Sequence, residues 1–134
     1  MKGFAKTDVG KAREMNQDYY SIPSSESDLQ LYILADGMGG YNGGEIASRL
    51  AAETTKNYIQ NNFKKIEHDK EAILKLVKDA MEYANMVVYE ESKKDENLQG
   101  MGTTLEVCLI YNNKAYIGHV GDSRIYRIRK DFIR

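Results

Sequence analysis

The sequence contains little that would cross-link a chain, break it or anchor it in a membrane. Its 134 residues include one cysteine, one proline and no tryptophan. The single cysteine, Cys108, excludes an intrachain disulfide framework and fits a reducing compartment. No segment approaches the roughly 18 apolar residues of a membrane span, and the N-terminus MKGFAKTDVGKARE has no apolar core typical of a signal peptide. We therefore expect a cytoplasmic protein with no membrane partner.

The chain also lacks an excess of charge of either sign. Nineteen basic and twenty acidic residues are interspersed and leave a formal net charge of -1. Because no basic face stands out, a nucleic-acid partner is not expected. Hydrophobic residues make up 42% and charged residues 29%, which is the usual balance of a globular domain. The length corresponds to a single domain.

Hydrophobic periodicity predicts strands at both ends of the chain and two long helices in the middle. The predicted helices cover 43–63 and 69–95, where apolar residues recur at three- and four-residue steps. Asn112-Asn113 is predicted to be a two-residue hairpin turn, because asparagine tolerates positive φ. The predicted strands cover 2–8, 17–22, 29–35, 104–111, 114–120 and 125–129. This order predicts an α+β fold with helices on a mostly antiparallel sheet.

Residues 33–45, ILADGMGGYNGGE, form an unusual junction between the third strand and the first helix. An apolar strand is predicted to end at residue 35, directly before Asp36, and glycines crowd the positions that follow. Such glycines permit a sharp turn and let backbone carbonyl groups approach a ligand closely. A carboxylate beside a bare carbonyl is the oxygen chemistry that Mg²⁺ and Mn²⁺ prefer. The motif alone fits equally well a structural turn in which Asp36 caps the helix.

Two further acidic residues lie where a predicted strand meets a turn. Asp18 begins the strand at 17–22, and Asp122 lies inside the GDSR sequence between two strands. The sequence has only two histidines and no cysteine cluster, so the three acids favour a metal centre built from carboxylates. The EF-hand pattern and the GxxxxGK[ST] phosphate loop are both absent.

Four sequence blocks together resemble a known family. AREMNQDYY (12–20), LADGMGG (34–40), GMGTT (100–104) and GHVGDSRIYRI (118–128) resemble, in order and approximate spacing, the metal-dependent Ser/Thr protein phosphatases of type 2C. The likeness is strongest to the bacterial members and extends over essentially the whole chain. It implies a layered α-β-β-α sandwich and two Mn²⁺ or Mg²⁺ ions, with a third, weaker ion in bacterial relatives.

The resemblance also implies roles for individual residues. Asp36 matches the aspartate that bridges the two ions, and Gly37 matches the residue whose backbone carbonyl binds one of them. Arg13 matches the arginine that holds the substrate phosphate. Asp18 matches an acid that holds metal-bound water, and Asp122 matches the acid that helps to bind the third ion. The implied reaction is hydrolysis of phosphoserine or phosphothreonine on proteins, opposing a Ser/Thr kinase.

Two departures from the family pattern change the expectation for this chain. Met38 stands where some eukaryotic members carry a histidine that is proposed as a general acid. The family domain also continues beyond this length, so residues 1–134 are expected to be the N-terminal part of one catalytic domain. We expect this piece alone to be weak or inactive, with unpaired strands that favour an oligomer or another polypeptide. The alternative is a non-catalytic fragment of the same fold that binds a phosphoprotein or a subunit.

Overall fold

The computed structural model describes residues 4–8, 16–21, 29–40, 42–122, 124–129 and 132–133. Within them the order of elements is two strands, two helices and five strands, with short turns of 3-10 helix after each helix. The helices are α1 (Gly43–Asn62) and α2 (Lys70–Ser92). The strands are β1 (Asp18–Ser21), β2 (Gln30–Met38), β3 (Gly102–Thr103), β4 (Leu105–Tyr111), β5 (Lys114–Val120), β6 (Ile128–Arg129) and β7 (Phe132–Ile133).

The main sheet is antiparallel throughout the described residues and has β2 near its centre. Its strand order is β1-β2-β4-β5, and the short β3 pairs with the far end of β2. Strands β6 and β7 form a separate two-stranded sheet. The predicted α+β class is therefore confirmed, with an antiparallel sheet and two long helices.

Side chains alternate along β2, as the two-residue period of a strand requires. Leu31, Ile33 and Ala35 are buried on the face that carries the helices, whereas Leu34 is 41% exposed on the other face. The strand is central in the sheet, with β1 on one side and β4 on the other. The second face is only partly covered, since Leu34 and Asp36 are exposed there whereas Glu106, opposite Leu34, is 3% exposed.

The two helices pack against each other and against one face of the sheet. Their apolar stripes supply about half of the buried hydrophobic residues, and these regular stripes are why the sequence periodicity located the helices well. Helix α2 begins with a side-chain cap, in which the Asp69 carboxylate accepts a hydrogen bond of 2.8 Å from the Ala72 amide. Helix α1 begins at Gly43 without a side-chain cap from Asn42. None of the described helices is long and apolar enough to cross a membrane.

The hairpin between β4 and β5 follows the prediction closely. Asn112 and Asn113 have φ angles of 51° and 62°, the left-handed conformation that a two-residue hairpin turn needs. Pairing continues from Tyr111 opposite Lys114 to Leu105 opposite Val120 without interruption. This hairpin fixes the position of the Gly121-Asp122 segment that follows it.

Three strand predictions were wrong in extent. Residues 4–8 are not in a strand, although 2–8 was predicted to form one, and only 128–129 of the predicted strand 125–129 is paired. The strand predicted at 29–35 continues to Met38. Asp36 and Gly37 therefore lie within the paired sheet and not beyond its end.

Candidate functional site

Asp36 lies between two paired strands near one end of the sheet. On one side it faces Asp18 of β1 in the antiparallel register. On the other side lies Thr104, which separates β3 from β4, and the two residues are joined by two hydrogen bonds. The backbone of Asp36 is thus fixed from both directions, while its side chain is exposed.

In one of the two hydrogen bonds between Asp36 and Thr104, a side-chain hydroxyl replaces the backbone carbonyl that usually accepts in a β-ladder. The Asp36 amide donates to the Thr104 hydroxyl at 2.9 Å, and the Thr104 amide donates to the Asp36 carbonyl at 2.9 Å. The register on either side is continuous, with Leu34 opposite Glu106 and Gly37 opposite Thr103. Thr104 therefore anchors the backbone of Asp36, a role that we did not assign to it from the sequence.

Gly37 packs against the first turn of α1 without room for a side chain. A Cβ atom at Gly37 would overlap the Gly44 carbonyl oxygen and lie 2.8 Å from the Gln17 carbonyl oxygen. The Gly37 amide donates to that Gln17 oxygen at 3.1 Å. Close approach of helix to strand explains the glycine at position 37 better than a need for unusual dihedral angles.

Asp18 and Asp36 place two carboxylates side by side on the exposed face of the sheet. Directly opposite residues in an antiparallel pair have Cβ atoms about 4.5–5.5 Å apart, and like charges there are unfavourable. A divalent cation between or beside them would remove that repulsion. The predicted proximity of these two acids to one site is consistent with this register.

Asp122 lies farther along the same end of the sheet. Gly121, with φ of 109°, rests against Thr104, since a Cβ at Gly121 would lie 2.5 Å from the Thr104 Cγ2 atom. Two strand spacings separate this position from Asp36, or roughly 10 Å. Arg13, the predicted phosphate ligand, lies outside the described residues.

The donor chemistry of this corner fits a hard cation, although the number of donors is small. Carboxylate oxygens of Asp18 and Asp36 and the backbone carbonyl of Gly37 are ligands that Mg²⁺ and Mn²⁺ accept. Among the described residues, no three side chains of histidine, cysteine, aspartate or glutamate converge closely enough to hold a metal ion. The structure thus brings Asp18 and Asp36 together and does not bring Asp122 into the same cluster.

A buried acid that contacts a histidine lies next to the candidate site, and the sequence analysis did not identify it. Glu106, opposite Leu34 on β4, is only 3% exposed, and both carboxylate oxygens contact the His119 Nδ1 atom at 2.5 and 2.6 Å. The signal was available, because Glu106 is an acid within the otherwise apolar strand TLEVCLIY. His119 itself is half exposed on β5.

Comparison with known proteins gives the class to which this arrangement belongs. The family model "Protein phosphatase 2C" matches residues 10–132. The chain is 37% identical over 124 residues to protein phosphatase PhpP of Streptococcus pneumoniae, covering 92% of this chain and 48% of that protein. It is 31% identical over 145 residues to the serine/threonine phosphatase stp of Listeria innocua, covering 96% and 50%.

Solved structures agree with this match. The crystal structure of the serine/threonine phosphatase Stp1 from Staphylococcus aureus superimposes with a TM-score of 0.83 at 29% identity, covering 96% of this chain and 50% of that one. The chain belongs to the protein phosphatase 2C family, whose members are in general metal-dependent. It spans about half the length of these relatives.

Proposed function

We propose that the protein containing this chain hydrolyses phosphoserine and phosphothreonine on proteins with the help of divalent cations. The observation that carries the proposal is the register that sets Asp18 opposite Asp36 on an exposed sheet face. Family membership and the names of the relatives support the reaction class. Residues 1–134 would form the N-terminal part of one catalytic domain.

The cation ligands in this proposal are oxygen atoms at the end of β2. Asp36 would bridge two Mn²⁺ or Mg²⁺ ions, the Gly37 carbonyl would bind one of them, and Asp18 would hold the water around them. Asp122 would contribute to a third, weaker site. Such ions supply Lewis acidity that activates water and neutralises phosphate charge.

The chain's own residues would position this chemistry. Thr104 fixes the backbone of Asp36 through two hydrogen bonds of 2.9 Å, so the carboxylate is presented from a rigid ladder. The exposed face leaves room for a phosphorylated segment of a protein to approach. Arg13 would hold the phosphate group through its planar guanidinium, which matches phosphate oxygens in pairs.

We propose cytoplasmic phosphoproteins as the substrates, modified by a Ser/Thr kinase that this activity opposes, or the kinase itself. A Ser/Thr kinase is the expected counterpart, because relatives named Ser/Thr phosphatases reverse the modification that such a kinase makes. The exposed outer face of the sheet, which includes Leu34 and Ile117 at 41% and 50% exposure, supports an additional partner surface for this chain when isolated. That surface favours an oligomer or a second polypeptide.

The decisive experiment is a phosphatase assay of the complete protein with p-nitrophenyl phosphate and with a phosphothreonine peptide. We expect turnover with Mn²⁺ or Mg²⁺ and its loss in EDTA. Asp36→Asn is expected to abolish turnover in a folded protein, as judged by circular dichroism. Cation-independent turnover, or full activity of Asp36→Asn, would refute the proposal.

The alternative, a binding module without turnover, is tested with the 134-residue chain alone. The chain's described residues bring only two acids together at the site, which favours weak or no turnover by this piece. We expect little phosphate release from it. Fluorescence anisotropy with the same phosphothreonine peptide then separates the two functions, since tight binding without release supports the binding module.

A further inference from the structure

Gln17 forms hydrogen bonds with both ends of the segment 37–39, which carries the Gly37 carbonyl proposed as a cation ligand. Its backbone carbonyl accepts a hydrogen bond of 3.1 Å from the Gly37 amide. Its side-chain Nε2 atom donates to the Gly39 carbonyl at 3.2 Å. One residue therefore bonds to the segment before and after the Gly37 carbonyl.

The amide of Gln17 is also pressed against the start of helix α1. A Cβ atom at Gly44 would lie 2.5, 2.6 and 2.7 Å from the Cδ, Oε1 and Nε2 atoms of Gln17. Those distances mean that the amide lies flat on the Gly44 backbone, with no space between them. This close packing limits movement of the Gln17 amide toward α1.

These contacts leave the Gly37 carbonyl little freedom to rotate. Its direction depends on the peptide planes on either side, and Gln17 bonds to the amide before it and to a carbonyl two residues after it. A group that orients a metal ligand raises the affinity of the site without touching the cation. Loss of such outer contacts typically weakens metal binding about 10- to 100-fold.

We propose that Gln17 is a positioning residue that fixes the Gly37 carbonyl for the divalent cation. The proposal rests on the proposed function, since it assumes that a cation binds at this corner. Gln17 neither binds the cation nor touches the substrate in this scheme. Its role is to hold the turn between β2 and α1 in the conformation that presents the carbonyl.

The test compares Mn²⁺ affinity in the complete protein and three variants. Gln17→Met keeps the bulk of the side chain and removes the amide donor. Gly44→Ala leaves Gln17 in place but displaces its amide by steric overlap. Gln60→Met, on the exposed surface of α1, makes the same chemical change as Gln17→Met away from the corner and is the matched control.

The Mn²⁺ dissociation constant is measured from the electron paramagnetic resonance signal of free Mn²⁺, and thermal stability is measured in EDTA. We expect Gln17→Met and Gly44→Ala to raise the dissociation constant about tenfold. Gln60→Met should leave it unchanged. We expect the melting temperature in EDTA to stay within a few degrees and kcat at saturating Mn²⁺ to stay within about twofold, because the site is positioned less well but still forms.

Two outcomes would overturn the positioning role. One is a dissociation constant for both variants within twofold of the wild type. The other is weaker binding that occurs only together with a large fall in melting temperature in both variants, which would reduce Gln17 to a structural residue. If the wild-type protein itself binds no Mn²⁺, the proposed metal-dependent function fails first, and the role of Gln17 fails with it.

Discussion

The pairing of Asp18 with Asp36 makes a specific prediction about stability in the absence of metal. The two carboxylates are cross-strand neighbours on an exposed face, so their repulsion acts through water. With carboxylates about 5–6 Å apart and the dielectric constant of water, the repulsion is about 0.8 kcal/mol. Screening at about 0.15 M salt, where the Debye length is about 8 Å, reduces it to roughly half.

The experiment is a double-mutant cycle of Asp18→Asn and Asp36→Asn, measured by urea unfolding in EDTA. Either substitution removes the same repulsion, so the double variant should gain less than the sum of the two single variants. The coupling energy should be about 0.8 kcal/mol at low salt and about 0.4 kcal/mol at physiological salt. The cycle isolates the pair from any other contact that either carboxylate makes.

The same proteins in Mn²⁺ should show the opposite order of stability. Ligand present at about 100 times its dissociation constant stabilises the folded state by about 2.7 kcal/mol, and this gain should be lost in Asp36→Asn. The carboxylate that costs stability in EDTA would then supply it with metal present. A coupling energy of zero at both salt concentrations, or one of attractive sign, would show that the two acids do not face each other as described.

Three further predictions concern residues around the site. Gly37→Ala should lower the free energy of unfolding, measured with urea, by about 1–3 kcal/mol through overpacking. Gly40→Ala has open space around its Cβ position and should change that free energy by less than about 0.5 kcal/mol. Equal effects of the two substitutions would contradict the close packing at Gly37. His119→Ala should lower the free energy of unfolding by about 2–3 kcal/mol, because it leaves the buried Glu106 carboxylate without its partner. Adding Glu106→Leu to His119→Ala should recover most of that loss. Additive losses in a double-mutant cycle of the two substitutions would argue against the pair. Burial raises the pKa of the Cys108 thiol, so stability from this group is full below the pKa of a free thiol and falls as the pH rises above it. Alkylation of Cys108 by iodoacetamide at pH 8 should therefore be slower than alkylation of glutathione, and an equal rate would count against the burial.

The helices were the most predictable part of the fold. The expected spans 43–63 and 69–95 agree with the observed Gly43–Asn62 and Lys70–Ser92 to within three residues at each end. A helix repeats its apolar stripe over several turns, so the period is visible in one segment of sequence. Strand ends were less predictable because pairing with distant segments decides them.

The end of β2 shows this limit most clearly. Aspartate and glycine are poor strand formers, and the strand was predicted to stop before them. Pairing with β1 and Thr104 continues the strand through Asp36, and pairing with β3 extends it to Met38. Hydrogen bonds from residues distant in sequence therefore outweighed the low local strand propensity of aspartate and glycine.

The same limit applies to the candidate site. Asp18 and Asp36 could be proposed from the sequence, because each acid lies where a strand meets a turn. Their register could not be proposed, since it depends on how β1 aligns with β2. The contacts of Gln17 and Thr104 with the corner likewise arise only from the tertiary fold.

The position of β1 at the edge of the described sheet has a consequence for cation exchange. This strand has four residues, carries Asp18 and follows Gln17 directly. Short edge strands open more readily than central ones. If β1 frayed, the Asp18 carboxylate and the contacts of Gln17 that position the Gly37 carbonyl would be lost in a single event. The rate of cation loss would then be set by the opening of the strand. A bound cation would in turn slow hydrogen exchange at the Gly37 amide.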